Sequence, residues 1–372
     1  MTLIDKILQD PVPGSAREEL ESAVVRFAGD SGDGMQLTGD QFTLATAIAG
    51  NDLATFPDYP AEIRAPAGTT FGVSSFQINF GARRIMTSGD QFDTLVAMNP
   101  AALFVEASNL KPGGLLIVDT GSFTERNLRK AGYDTNPLHD GSIDKFRTIA
   151  IDISAMTLEA VKPFGLLQKD ALRCKNLWTL GFVYWLFDRQ RQATQQWLKT
   201  KFAKRPEIAD ANIAALNAGH AMAETAELPS GVHGYHIAPA EIVPGTYRTV
   251  TGTQALAWGL IHGLKLAGLN ALFASYPITP ASPLLHVLAQ NQHLGITTFQ
   301  AEDEIAAVGA AIGASFAGTL GITSSSGPGI ALKGEAIGLA LSAELPLIVV
   351  NSQRGGPSTG LPTKTEQSDL YQ

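Results

Sequence analysis

A single cysteine, Cys174, stands in a chain of 372 residues. One thiol excludes a disulfide framework and any iron–sulfur cluster ligated by this chain alone, because such clusters need several thiolates. Set between Arg173 and Lys175 ahead of an aromatic run, Cys174 reads as a buried structural thiol rather than a nucleophile. Charge is scarce as well: Asp, Glu, Lys and Arg make up 17% of the residues, and 35 acids against 27 bases give a net charge of −8. An acidic chain without a Lys/Arg cluster lacks the electrostatic footprint of a nucleic-acid binder. Long apolar runs are missing too. Residues 177–187 are too short to span a bilayer, and 337–350 is interrupted by Glu344 and Pro346. Residues 1–19 are polar, carry Pro11 and Pro13, and contain no run of signal-peptide type. A soluble cytoplasmic protein with no nucleic-acid and no membrane partner is the expectation.

What is present is an alternation of helix and strand, over a length that suits two domains with sizeable cores. Residues 22–123 read as one α/β unit. Within it, 23–28 is a short apolar strand, Gly29 to Gly34 a turn, and Leu37, Phe42, Leu44 and Ile48 follow at helical spacing. Residues 71–80 alternate like a strand. Residues 93–98 and 115–119 read as strands flanking a helix that begins after Pro100, with Lys111-Pro112-Gly113-Gly114 ending that helix and turning the chain back. From 172 to 225 the pattern is helical, and Trp178, Phe182, Trp185 and Leu186 recur as packing residues. Residues 227–247, bearing Pro229, Pro239 and Pro244, read as a linker, which sets the domains at 1–226 and 248–372. His233 and His236 in that stretch have a spacing that suits a metal, but no acid or thiol stands beside them in sequence, so a surface linker is the better reading.

The turn at Gly29, Gly32 and Gly34 has the spacing G-x-x-G-x-G, not the G-x-G-x-x-G of dinucleotide folds. Asp30 and Asp33 add negative charge where a pyrophosphate would sit. A conventional nicotinamide site is therefore disfavoured here.

The second unit is organised by residues 275–354. Tyr276-Pro277-Ile278-Thr279-Pro280 opens it, and Glu302-Asp303-Glu304 heads a run of small residues, 305–318. Thr323-Ser324-Ser325-Ser326-Gly327-Pro328-Gly329 and Gln353-Arg354-Gly355-Gly356 complete it. Residues 321–324 and 347–351 read as strands, 304–318 and 329–343 as the helices before them, and a helix over 251–266 leads into the strand ahead of Tyr276. This is the parallel α/β pattern. Ligands in such sheets bind beyond the carboxyl ends of the strands, so Thr279, the Ser-Gly-Pro-Gly turn and Arg354 should crowd one rim, with Glu304 opening the helix that enters from it. An acid in the first helical turn is favoured by the dipole, so capping is the plain role open to it. Three acids in a row exceed what a cap needs. The plain role for Arg354 is an ion pair at the rim.

These motifs, in this order, resemble the pyrimidine-binding domain of thiamine-diphosphate enzymes. Tyr-Pro-Ile-Thr-Pro narrows the likeness to the 2-oxoacid:ferredoxin oxidoreductases, and the whole chain is similar to the start of a 2-oxoglutarate-type α subunit with a γ-type domain fused ahead of it. The resemblance implies an α/β protein, a γ-type α/β domain followed by an incomplete pyrimidine-binding α/β domain. It implies oxidative decarboxylation of 2-oxoglutarate, or a related 2-oxoacid, to an acyl-CoA and CO2 with reduction of ferredoxin. Glu304 is then the catalytic carboxyl hydrogen-bonded to N1′ of the aminopyrimidine, held in an apolar pocket where it can share a proton. Glu302 is the competing assignment. Pro277 and Ile278 would join Glu304 in binding the cofactor, while Thr279 and Arg354 would contact the substrate, Arg354 as a bidentate fork.

The resemblance also says what must come from elsewhere. Gly32-Asp33-Gly34 mimics the start of the thiamine metal–diphosphate motif, but Asn51 comes too early and 56–64 holds no Asn. Mg2+, the diphosphate grip and a 4Fe–4S cluster are thus implied in a β subunit, with coenzyme A as co-substrate and an (αβ)2 hetero-oligomer as the assembly. Tyr59-Pro60-Ala61-Glu62-Ile63-Arg64-Ala65-Pro66 is similar to the family's Glu-x-Arg segment, either a salt-bridged pair or a ligand site. Gly252-Thr253-Gln254-Ala255 departs from the family's Gly-Asn-Glu-Ala. Family members continue past this point, so the chain is read as incomplete. Two other classes stay open: a non-oxidative thiamine-dependent lyase, which would need its own metal–diphosphate motif, and a non-catalytic nucleotide- or CoA-binding assembly module.

Overall fold

A computed structural model describes residues 17–30, 32–58, 72–225 and 232–354. The Glu-x-Arg segment at 59–66 and Gly355-Gly356 lie outside the described residues. The chain divides into two compact units, Met1–Gly245 and Thr246–Gln372.

In the first unit the order is β1 (Glu18–Glu19), β2 (Ser22–Asp30), α1 (Met35–Ile48), β3 (Asp52–Asp58), β4 (Val73–Gly81), β5 (Phe92–Ala97), α2 (Pro100–Glu106), β6 (Leu110–Asp119), α3 (Glu125–Ala131), β7 (Arg147–Ile151) and α4 (Ile153–Val161). Then come α5 (Gln168–Leu172), α6 (Lys175–Leu186), α7 (Gln192–Lys201), α8 (Pro206–Thr225) and β8 (Tyr235–His236). Six strands form one sheet in the order β3-β4-β2-β5-β6-β7. The β2, β5, β6 and β7 strands are parallel, and β4 runs against both β2 and β3. Residues 23–29 of β2 are buried without interruption, as expected of a strand covered on both faces. Arg26 is the one charge among them. Its guanidinium donates to Glu106 at 2.7 Å and Asp58 at 2.9 Å, and Glu106 also accepts from Ser75 at 3.0 Å, so the buried cation is fully countered.

Two readings of the sequence are corrected here. Lys111-Pro112-Gly113-Gly114 does not end a helix and turn back; it lies inside β6. Pairing with β5 passes from Phe92↔Leu110 to Thr94↔Leu115, so the extra residues are thrown out as a bulge while the ladder closes on both sides. Gly113 takes the left-handed conformation there (φ +73°), which its missing side chain permits. Within the 227–247 stretch, residues 232–237 also differ from a free linker. Glu18 and Glu19 pair in parallel with Tyr235 and His236, and Val232, Tyr235 and Ile237 are buried in the first unit's core. His236 Nδ1 lies 3.1 Å from Asp188, and no group of three metal-ligating side chains occurs among the described residues.

His220 on α8 supplies a pH test of this unit. Burial, followed by the charges of Arg191 and Arg17 and against that of Asp188, pushes its pKa down from 6.5 to about 4. The unfolded chain therefore takes up this proton first as pH falls, so the stability tied to a neutral His220 is intact above pH 6.5 and is lost progressively down to about pH 4. Urea midpoints measured at the two ends of that window should fall further for the natural chain than for His220→Gln. An equal fall in both would contradict the assignment.

The second unit comprises α9 (Gly252–Ala267), β9 (Ala271–Ser275), α10 (Ser282–Ala289), β10 (Ile296–Gln300), α11 (Glu304–Phe316), β11 (Leu320–Ser325), α12 (Gly327–Leu332), α13 (Gly334–Ser342) and β12 (Leu347–Asn351). All four strands are parallel, in the order β10-β9-β11-β12. Alternation along β11 assigns its faces. Ile322 joins Ile261, Phe273, Leu284 and Leu288 in the core under α9 and α10. Gly321 turns toward α11, so closely that a Cβ would lie 2.1 Å from the Ala311 carbonyl. A helix expected over 329–343 is two, broken at Lys333. Among the described residues no helix is long and apolar enough to cross a membrane.

Candidate functional site

The chain leaves β9 for β10 on one side and then returns past it to β11 on the other. That reversal opens a crevice at the carboxyl ends of β9 and β11, the place where open α/β sheets bind ligands. The carboxyl ends of the two strands are tied together there. Tyr276 Oη and Ser325 Oγ are 3.0 Å apart, and Ser275 Oγ and Ser324 Oγ are 2.8 Å apart. Thr323, Ser324, Ser325 and Ser326 are all completely buried. The Ser326 hydroxyl is buried without a hydrogen-bond partner, which is costly unless something else satisfies it.

Gly329 permits this arrangement. A Cβ there would stand 2.0 Å from Ser325 Oγ and 2.6 Å from the Tyr276 hydroxyl. Gly329→Ala should break the Tyr276–Ser325 hydrogen bond and cost about 1–3 kcal/mol through overpacking, read as a lowered urea midpoint. An unchanged midpoint would mean that the rim is not packed as described.

The three acids separate into distinct roles. Asp303 is the N-cap of α11: its backbone is extended and its carboxylate accepts from the Ala306 N–H at 2.8 Å. Glu302 is exposed, whereas Glu304 is half-buried at the head of the helix. With the cap supplied by Asp303, Glu304 has no capping task. Burial raises the Tyr276 pKa, the Ser325 hydrogen bond opposes this, and the Glu304 charge raises it again. Burial pulls the Lys333 pKa down to about 8, and the Glu304 charge works against that fall.

Arg354, beyond the end of β12, is buried rather than paired with an acid at an exposed rim. Its Nη1 donates to the Thr279 carbonyl at 2.8 Å, while its Nε is buried without a partner. Arg354 therefore clasps the loop through the main chain and leaves part of its fork available. The Thr279 side chain is exposed, and the Thr279–Pro280 peptide is cis. Pro277 is exposed, and Ile278 packs with Tyr276, Ala301 and Ala307. The five residues singled out from sequence thus divide into a loop of Pro277, Ile278 and Thr279, the arginine that holds it, and Glu304 across Tyr276. Tyr276 and Lys333 were missed as members of the site. The available signal was a lysine in an Ala/Gly-rich helix directly after the Ser-Gly-Pro-Gly turn.

A family model described as "Pyruvate ferredoxin/flavodoxin oxidoreductase" matches residues 24–222, more than half of the chain. The chain belongs to this family. A second model, "Pyruvate flavodoxin/ferredoxin oxidoreductase, thiamine diP-bdg", matches residues 262–372 of this oxidoreductase-family chain. The chain is 53% identical over 356 residues to a Mycobacterium tuberculosis protein named 2-oxoglutarate oxidoreductase subunit KorA, covering 96% of this chain and 54% of that one. It is 30% identical over 308 residues to subunit alpha of 2-oxoacid:ferredoxin oxidoreductase 1 of Aeropyrum pernix, covering 75% and 47%. A solved structure of 2-oxoglutarate:ferredoxin oxidoreductase from Magnetococcus marinus, described with 2-oxoglutarate, coenzyme A and succinyl-CoA bound, matches with a TM-score of 0.75 at 32% identity. That match covers 95% of this chain and 56% of the solved one. The chain spans about half the length of the curated relatives it matches.

The crevice suits one half of thiamine diphosphate. A half-buried carboxylate relieved of capping, an orphaned Ser326 hydroxyl and a glycine with no room for a methyl fit a flat, hydrogen-bonding heterocycle. At Gly252-Thr253-Gln254-Ala255, Gln254 completes a capping box with Thr251 at the start of α9, a structural task that Glu or Gln can fill.

The glycine turn of the first unit is built around acids. Asp33 accepts from the Asp30 N–H at 2.9 Å, Asn99 donates to Asp30 at 3.1 Å, and Lys175 lies 3.3 Å from the buried Asp119. Burial first, and then the Asp33 charge, raise the Asp30 pKa. Lys175 also lies 3.7 Å from Asp33, so the acids of the turn are partly countered from within the chain. Cys174 is buried, and burial pushes its pKa up to about 11, as befits an inert structural thiol.

Proposed function

We propose that this chain is the γ/α portion of a 2-oxoacid:ferredoxin oxidoreductase that converts 2-oxoglutarate, with coenzyme A, to an acyl-CoA and CO2 and passes the electrons to ferredoxin. One observation carries the reading: Asp303 supplies the cap of α11, which leaves the half-buried Glu304 as a first-turn acid with no capping task on the helix that enters beside the carboxyl ends of β9 and β11. Thiamine diphosphate, when bound, supplies the carbon nucleophile for the 2-oxoacid carbonyl and the sink for the electrons left by CO2 loss.

The residues of this chain then act as follows. Glu304 holds a proton against N1′ of the aminopyrimidine, and Pro277 and Ile278 wall that ring. Arg354 fixes the Thr279 loop through its Thr279 carbonyl bond and turns its remaining donors toward the substrate carboxylate. The exposed Thr279 hydroxyl is the other substrate contact. A β subunit supplies Mg2+, the diphosphate grip and a 4Fe–4S cluster, in an (αβ)2 assembly in the cytoplasm, where coenzyme A and ferredoxin are found. The lone cysteine, too few thiolates for a cluster, supports this division of labour.

Calorimetry tests it. Thiamine diphosphate with Mg2+ should bind only when a diphosphate-holding β subunit is added to the chain, and the mixture should reduce ferredoxin in the presence of 2-oxoglutarate and coenzyme A. Tight binding to this chain alone would overturn the proposal.

A further inference from the structure

The ladder between β9 and β11 ends at the pair Ala274 and Thr323. Beyond it the strands part: Ser275 stays paired with Gln300 of β10, while Ser324 and Ser325 pair with Val350 and Asn351 of β12. Side chains take over where the main-chain ladder stops. Ser275 and Ser324 meet through their hydroxyls, as do Tyr276 and Ser325. Lys333 completes the junction. It occupies the single residue at which α12 gives way to α13, and it is 0% exposed. Its ammonium donates to Thr323 Oγ1 at 2.6 Å and to the Ser324 carbonyl at 3.3 Å. The Tyr276 ring centroid is 5.8 Å from the ammonium, within cation–π range. One side chain thus reaches the end of β11 and the residue that follows β9.

Both hydrogen bonds go to uncharged oxygens. A wholly buried ammonium is energetically expensive, and a Met of similar length would fill the same space without that cost. What Met cannot do is donate to Thr323 and Ser324 while lying against an aromatic ring. The position therefore serves a polar task at the point where the strands diverge. That task bears on the crevice, because Tyr276 begins the loop that carries Pro277, Ile278 and Thr279. Ser282 fixes the middle of this loop, its hydroxyl accepting from the Ile278 N–H at 2.8 Å. Arg354 fixes its end through the Thr279 carbonyl. Ser325 and Lys333 hold its start.

We propose that Lys333 is a positioning residue for the 276–279 loop: its ammonium, bonded to the end of β11 and set against the Tyr276 ring, fixes the start of the loop as Arg354 fixes its end. The inference rests on the substrate role given to that loop above. Lys333 touches no substrate itself and acts through Tyr276. Its removal loosens the loop, which weakens substrate binding more than it slows the chemistry.

Hydrogen exchange of the chain alone is the first test. Lys333→Met should speed exchange of the Ile278 and Thr279 amides about tenfold, the factor that corresponds to losing one buried hydrogen bond, while the amides of α10 exchange as before. Unchanged loop amides, or an acceleration spread evenly over α10, would overturn the proposal. Should K333M fail to fold, Thr323→Val decides by the same criterion, since it keeps the lysine and the volume of the threonine but removes the acceptor. The second test uses the complex with the β subunit and thiamine diphosphate. There K333M should raise KM for 2-oxoglutarate about tenfold with a smaller change in kcat; a fall in kcat at constant KM, or no change in either, would also overturn it. The two readings fail separately. An unsubstituted complex that does not turn over 2-oxoglutarate removes the substrate role of the loop, and the exchange measurement still decides whether Lys333 holds it.

Discussion

Glu304→Gln, in a complex of this chain with the proposed β subunit, should lower thiamine-dependent oxidation of 2-oxoglutarate roughly 100- to 10,000-fold, the range typical of losing a positioned acid–base group. The amide keeps the size and the hydrogen-bonding edge of the side chain, so the rim geometry survives and the loss reports on the proton. Asp303 makes this test clean. Because it already caps α11 through Ala306, the substitution leaves the helix start intact. Asp303→Ala should show the converse, a loss of about 1 kcal/mol of stability from the missing cap. Glu302→Gln, at an exposed position, should alter neither. Steady-state reduction of ferredoxin or a dye by the three variants separates the acids, and full activity in E304Q would reject the role assigned here.

The second large effect belongs to the fold. Gly181 on α6 and Gly219 on α8 bring two helix backbones into direct contact. A Cβ on Gly181 would lie 1.9 Å from the Leu216 carbonyl oxygen, and one on Gly219 would lie 1.9 Å from that of Trp178. No rotamer relieves a collision with a main-chain atom. Gly219→Ala must therefore separate the helices, and the packing of the buried Trp178, Phe182 and Leu216 goes with it. We expect a loss of about 3 kcal/mol or more, read from urea unfolding; a change below about 1 kcal/mol would show that the helices can part cheaply.

Much of this was legible in the amino-acid sequence, for definable reasons. Strands β2, β5 and β11 announce themselves because strands buried on both faces are short runs that end in polar turns, and the edge strand β12, none of whose residues is buried, shows as an apolar run between Pro346 and Asn351. The grouping of Thr279 with Arg354 at one rim followed from the rule that turns after parallel strands share the carboxyl edge. What failed to show depends on contacts distant in sequence. Lys111-Pro112-Gly113-Gly114 has the local chemistry of a turn, and only the partner strand β5 reveals it as a bulge. Residues 232–237 have a linker's composition, and only pairing with Glu18–Glu19 makes them core. The closeness of α6 and α8 at Gly181 and Gly219 was hidden behind the more conspicuous aromatic residues. Lys333 stayed invisible because a lysine in a helix reads as solvated until the break between α12 and α13 is seen to turn it inward.

A structure of this chain assembled with its β subunit, thiamine diphosphate and Mg2+ tests the central claim most directly. The account predicts a Glu304 carboxylate oxygen within about 2.6–3.2 Å of N1′ of the aminopyrimidine, with the diphosphate and metal gripped by the other polypeptide. A Glu304 side chain directed into solvent, or a diphosphate held by residues of this chain, would contradict it.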